Sequence, residues 1–250
     1  VTAGQPASHA VARLRATRLA ASTKPFVTRG SATARCSGCR LMASHCLCAL
    51  RPVVSARAGV CLIMADIEPL KPSNTGWLIA DLVADTWAFG WSRVAVDPAL
   101  ISLLADPLWQ PYVVFPGEYV APERVVSEVA VPAAASDKRP LFVLLDGTWS
   151  EARKMFRRSP YLDRLPVLSL QPGHASIYRL RRALHAQHFC TSEVAAQCLA
   201  LAGDTHAADT LAAYLDVFTT HYLSAKRNLR LDRDSEAHQQ LARLAHGAQP

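Results

Sequence analysis

The first 65 residues of this 250-residue chain contain no aspartate or glutamate: Asp66 is the first acid, and nine arginines and lysines precede it. The remainder holds 18 basic and 20 acidic residues, so the formal net charge of +7 is concentrated in the N-terminal quarter. A basic segment on a near-neutral body is the footprint of a polyanion binder. Long apolar runs are missing too. No stretch reaches the ~18–20 residues that a membrane-spanning helix needs, and the basic segment lacks the apolar core of a secretory signal. There is no glycine-rich phosphate loop, which argues against an NTPase or a Rossmann dehydrogenase. The nine histidines form no His-Glu-x-x-His or His-x-Glu pairing. What remains is half hydrophobic and 19% charged, enough core for one α/β domain with a small appendage, or for two small domains.

Four of the seven cysteines cluster as Cys36-x2-Cys39-x6-Cys46-x-Cys48. Zinc takes tetrahedral sulfur ligands, and a C-x2-C turn offers two thiolates to one metal. The second pair, C-x-C, is tighter than usual, and His45 is an alternative fourth ligand. Disulfides are the rival reading, but the odd thiol count, with Cys61, Cys190 and Cys198 left over, favours structural zinc. A closed tetrathiolate has no open coordination position, so its role is to brace.

The sharpest local signal lies at 141–158. Leu141-Phe142-Val143-Leu144-Leu145 is apolar without alternation, as a strand buried on both faces requires. It ends in Asp146-Gly147-Thr148-Trp149, and Thr148 with Glu151 has capping-box spacing. An acid is thereby placed at the carboxyl end of a central strand, where open α/β sheets hold their ligands. Arg153, Lys154, Arg157 and Arg158 share one broad face of the following helix, and Arg179, Arg181 and Arg182 make a second group. Both suit phosphates.

Around these landmarks the patterning predicts helices at 8–22, 76–84, 98–105, 148–158, 191–202 and 207–225. Strands are expected at 58–65, 92–96, 111–115, 141–145 and 166–170. The Ala- and Pro-rich stretch 117–139 reads as a surface excursion. The division expected is a basic arm with the four-cysteine segment (1–52), an α/β catalytic domain (53–230) and a C-terminal tail (231–250). Alternating strands and helices mean a parallel-rich sheet.

Asp-x-Thr-Trp in this setting resembles the signature of the DTW-domain family, and within it the bacterial tRNA-uridine aminocarboxypropyltransferases. Further resembling segments run in order: Leu14-Arg15 to Arg18, Pro25-Phe26, Arg29-Gly30, the cysteines from Cys36 to Cys48, and Glu68-Pro69-Leu70-Lys71-Pro72-Ser73-Asn74-Thr75-Gly76. Then come Val114-Phe115-Pro116, the Asp146 segment to Leu162, Tyr178-Arg179-Leu180-Arg181 and Cys190-Thr191-Ser192-Glu193-Val194-Ala195. Trp77 departs from the pattern, since an arginine is expected after Asn-Thr-Gly. The arm has the composition of an organellar transit peptide. Because the resemblance begins near Leu14, we expect it to belong to the mature protein, with Val1 marking a non-ATG start or a trimmed tag.

The resemblance implies a SPOUT-like α/β knot and a reaction: the 3-amino-3-carboxypropyl group of S-adenosylmethionine moves to N3 of a tRNA uridine, by resemblance uridine 47 of the variable loop, releasing methylthioadenosine. N3 carries a proton at neutral pH, so a carboxylate in reach acts as general base, and Asp146 is the candidate. Capping of the next helix is the other role open to Asp146. Thr148 caps the helix or bonds Asp146; Trp149 stacks on the uracil, walls the pocket or packs in the core. Donor-binding candidates are Phe115, Pro116, Leu168, Tyr178, Arg179 and Asn74, with Lys71 and Ser73 also near; contacts to RNA phosphate or loop structure are alternative roles for the polar ones. The expected partner is tRNA, with no DNA and no membrane, in the cytoplasm. The alternatives are a SPOUT-type RNA methyltransferase and a non-catalytic zinc-ribbon RNA-binding protein.

Overall fold

A computed structural model describes residues 8–26, 34–130, 138–170 and 189–246. Among these residues six strands, β1 (Gly59–Met64), β2 (Thr86–Gly90), β3 (Trp109–Val114), β4 (Val125–Val126), β5 (Arg139–Asp146) and β6 (Val167–Leu168), form one sheet. The order is β2-β1-β5-β3-β6-β4, and every pairing is parallel. The central strands β1 and β5 are buried on both faces, which is why their sequences run apolar without alternation.

Among the described residues seven α-helices pack around the sheet: α1 (Ala10–Ala20), α2 (Gly76–Leu82), α3 (Pro98–Ala105), α4 (Trp149–Arg157), α5 (Thr191–Leu201), α6 (Thr205–Lys226) and α7 (Glu236–His246). Side chains alternate across the sheet plane. Val60, Leu62, Met64, Phe142 and Leu144 therefore join one core, with α1, α2, α5, α6, α7 and the cysteine segment. Cys61, Ile63, Leu141 and Val143 join the other, with α3 and α4. Chain connections leave the neighbours β1 and β5 in opposite directions, β1 through α2 to β2 and β5 through α4 to β6. That divergence opens a crevice at their carboxyl ends, the place where such sheets bind ligands. Among the described residues no helix is long and apolar enough to cross a membrane.

Two expectations change. The strand placed at 92–96 is instead β2 at Thr86–Gly90; Val94 is 92% exposed, and the Ser92 hydroxyl accepts from the backbone of Val94 and Ala95 in a turn. The excursion 117–139 contributes the edge strand β4. The helix expected at 8–22 forms as α1: Val11 is fully buried, His9 caps the helix by accepting from Ala12 N–H at 3.2 Å, and Arg18 makes a two-pronged pair with Asp66.

Beyond residue 230, α7 docks through buried Ala237, His238 and Leu241. A hydrogen-bonded relay fixes it. His221 Nδ1 lies 2.9 Å from the carbonyl of His45, so Nδ1 must donate and Nε2 must accept. His238 Nε2–H then donates to it at 2.9 Å, and Ser235 donates to His238 Nδ1 at 2.7 Å. The relay requires both rings neutral. Burial, with Arg233 nearby, pulls both pKa values down, that of His221 to about 4.

Candidate active site

Asp146 ends β5 beside Met64 of β1, at the mouth of the crevice, and its side chain is fully buried. It follows Phe142 and Leu144 at even spacing and so points to the α2–α5 face. Its Oδ2 accepts from the Asn74 amide at 2.6 Å, and its Oδ1 accepts from the Thr191 hydroxyl at 2.6 Å. Two segments far apart in sequence are thus tied to one carboxylate. The amide of Asn74 can be oriented without ambiguity, because its Oδ1 accepts from Trp77 N–H at 3.2 Å and Nδ2 must then face the acid. Gly76 makes the approach possible: a Cβ there would sit 3.0 Å from Asp146 Oδ2 and 3.2 Å from Asn74 Oδ1. Thr191 opens α5, and the Ser192 amide donates to Thr75 at 3.3 Å, closing the ring.

Thr148 does not share that ring. It caps α4: its hydroxyl accepts from Glu151 N–H at 3.3 Å while Glu151 Oε2 accepts from Thr148 N–H at 2.8 Å, the reciprocal box read from the sequence.

Two buried residues of this site escaped the sequence reading as functional groups. Glu68 is fully buried, paired with Lys71, with Asn74 Nδ2 3.5 Å from its Oε2. Asn74 therefore stands between two carboxylates. Arg40, 4% exposed, comes from the cysteine turn with a positive φ of 65° and donates to the carbonyls of Lys71 and, at 2.9 Å, Asn74. Its guanidinium lies 3.9 Å from the centre of the Trp77 ring. Trp77 is buried at the start of α2, donates Nε1–H to Gly38 O at 3.2 Å and meets the His9 ring edge-on. The position where an arginine was expected is thus a tryptophan on which an arginine from another segment rests. The signal was present as Cys39-Arg40, but only the fold brings it to the loop.

The four thiols Cys36, Cys39, Cys46 and Cys48 lie within 4.8 Å of one another. Sγ–Sγ separations of 3.6 Å (Cys36–Cys48), 3.8 Å (Cys39–Cys46) and 3.4 Å (Cys46–Cys36) are far too long for disulfides. They match the ~3.8 Å edge of a tetrahedron with ~2.3 Å zinc–sulfur bonds. Burial pushes the Cys36 thiol up, yet N–H groups of Cys39 and Gly38 and the neighbouring thiols outweigh it and hold it at about 6. Burial and the neighbouring sulfurs push Cys39 up to about 11 and Cys48 up as well. Four thiolates this close together require a cation between them. His45 is not directed at the cluster: its Nε2 meets the carbonyl of Leu229 at 3.0 Å.

On the other side of the sheet Phe115 stacks between Phe156 (4.3 Å, 4°) and Trp149 (5.4 Å, 12°). Trp149 is 39% and Tyr119 44% exposed, and Arg153 lies 5.0 Å over the Tyr119 ring. Trp149 is therefore a partly exposed member of an aromatic stack rather than core, with exposed Lys154 and Arg157 on the same helix and exposed Arg158 at its C-cap. Phe115 N–H donates to Leu168 O at 3.2 Å, so these neighbouring strand ends continue the carboxyl edge from Asp146. Pro116 follows, exposed, at the first turn beyond β3. The structure brings Asn74 to Asp146, and Phe115 to Trp149, but Phe115 and Asp146 project to opposite faces. Tyr178, Arg179, Arg181 and Arg182 lie outside the described residues.

No solved structure matches this chain. The family profile described as the DTW domain matches residues 33–223, from the cysteine cluster through most of α6 and across the whole sheet. With the match covering well over half its length, the chain belongs to the DTW-domain family.

Proposed function

We propose that the protein transfers the 3-amino-3-carboxypropyl group of S-adenosylmethionine to N3 of a tRNA uridine, uridine 47 by resemblance, as a cytoplasmic enzyme on a SPOUT-like knotted sheet. The family is consistent with tRNA modification. The observation that carries the finer reading is the buried Asp146 at the strand-switch crevice, held between Asn74 and Thr191.

In the reaction the bond from sulfur to the aminocarboxypropyl carbon breaks as the carbon–nitrogen bond to N3 forms. The sulfonium leaves as neutral methylthioadenosine, and the N3 proton must be taken up. A carboxylate oxygen is an acceptor, so Asp146, aligned by Asn74 and Thr191, is the group that takes that proton. Asn74 and Thr191 fix its orientation, and removal of the proton by a positioned base supplies about 10²–10⁴ in rate. Cys36, Cys39, Cys46 and Cys48 hold structural zinc that fixes Arg40 behind the Asn74 loop. The partly exposed rings of Trp149 and Tyr119 suit contact with a base, and α4 offers cations to phosphates. Phe115, Pro116, Leu168, Tyr178 and Arg179 are the proposed donor pocket.

Mass spectrometry of tRNA nucleosides after incubation with S-adenosylmethionine tests the reading. The expected product is a uridine heavier by an aminocarboxypropyl group, with methylthioadenosine released in equal amount. A methyl gain would make the protein a methyltransferase, and no gain would leave a binding protein.

A further inference from the structure

A cavity of about 400 Å³, separate from the crevice, opens between α1, the cysteine turn and the loop at 70–72. Arg15, Arg35 and Arg40 line it with Ser37, Pro72 and Trp77. No acid lines it. The Nε groups of Arg15 and Arg35 are buried without a hydrogen-bond partner, and among the described residues neither arginine has a carboxylate within 4 Å. The neighbouring chain cannot supply one, since residues 1–65 contain no acid at all, and Asp66 and Glu68 are committed to Arg18 and Lys71. Half-burial pulls the Arg15 guanidinium below its usual pKa, the mark of a buried charge that lacks an anion.

We infer that this cavity is a phosphate seat, and that its occupant is a phosphodiester of the RNA backbone; the second clause rests on the tRNA reading above. Guanidinium forks pair with the oxygens of phosphate two at a time, and the Arg15 and Arg35 forks lining one cavity, beside the charge of Arg40, make a site for a phosphate monoester or diester. The seat also has a mechanical connection. Arg40 forms one wall and at the same time holds the carbonyls of Lys71 and Asn74, so a phosphate bound there braces the loop that presents Asn74 to Asp146.

The test is tRNA binding, measured by anisotropy from 50 to 200 mM salt, for the wild type, Arg15→Ala/Arg35→Ala and Arg15→Lys/Arg35→Lys. The alanine pair should bind about tenfold or more weakly, with the slope of log affinity on log salt shallower by about one or two, while melting temperature, zinc content and S-adenosylmethionine affinity hold. The lysine pair should keep the slope and lose part of the affinity, which separates charge from folding damage. Unchanged affinity and slope in the alanine pair would overturn the proposal, as would a selective loss of S-adenosylmethionine binding. Inorganic phosphate titrated by ³¹P NMR separates the sources. If phosphate binding disappears in the alanine pair while tRNA binding is untouched, the seat serves a free phosphorylated molecule and the RNA assignment fails. A wild type that binds tRNA through this seat yet forms no modified uridine overturns the catalytic reading and leaves the seat standing.

Discussion

The two faces of the sheet bury different things. Behind the face carrying α1, α2, α5, α6 and α7 lie charged and polar groups in bonded networks: Asp146 with Asn74 and Thr191, Arg40 over Trp77, and the His221–His238 relay. The face carrying α3 and α4 is sealed by aliphatic side chains and aromatic rings, and its notable residues, Trp149 and Tyr119, are partly in solvent. A buried polar group must be bonded or it costs stability, so networks appear where geometry has to be fixed to a few tenths of an ångström. Exposed rings beside cations suit an adaptable contact with a large partner. One face holds its polar groups rigidly, and the other leaves its rings open to solvent.

The most severe way to break the division is Asp146→Asn. Transfer should fall about 10²–10⁴-fold with donor and tRNA binding retained, because the amide keeps the shape but cannot take the N3 proton. Raising the pH should restore part of it, since uridine ionises unaided in alkali. If Asp146 merely ties Asn74 to Thr191, the loss will show in the melting temperature and no alkaline rescue will occur. Next is the cysteine cluster. Wild-type protein should carry about one zinc per chain, and Cys36→Ser should lose it together with several degrees of melting temperature and the activity that depends on Arg40. A metal-free preparation that is folded and fully active would contradict this.

Trp149→Ala probes the face with the open rings. Base–aromatic stacking contributes about 1–3 kcal/mol, so tRNA affinity should drop about 5–150-fold with little change in melting temperature. A large fall in stability with unchanged affinity would return Trp149 to the core. The mildest effect concerns acid. His221 stands at about 4 in the folded protein, below its ordinary 6.5, so the undocked state binds more protons between those values. The relay's contribution is complete above about 6.5 and lost as pH falls toward 4. Hydrogen exchange of 236–246 should accelerate over that window, and a flat profile would show that the relay does not hold α7.

Continuous apolar runs made β1 and β5 visible in the sequence, and capping chemistry marked the start of α4. The edge strand β2 was missed because Ser92-Arg93-Val94-Ala95-Val96 alternates like a strand, while Thr86-Trp87-Ala88-Phe89-Gly90 becomes one only through pairing with β1. The thiol cluster was readable from spacing alone. Asp146 was readable as a strand-end acid, but its bonds to Asn74 and Thr191, 72 and 45 residues away, exist only once the sheet forms. Arg40 behaves the same way, since the residue it serves lies 34 positions on.

The pairing of β1 with β5 sets Val60 opposite Phe142, about 80 residues later. Because every strand contact in this sheet is parallel and distant, the cost of closing long loops falls before most of the stabilisation is gained, which makes folding slow and the half-made chain prone to aggregation. On the ribosome β1 must wait, apolar on both faces, until β5 has emerged. The cysteine cluster, a set of four thiols within thirteen residues that could hold a metal ion, is complete long before that. The earliest ordered part of the nascent protein is then the knuckle that carries Arg35 and Arg40, and the site around Asp146 is among the last to assemble.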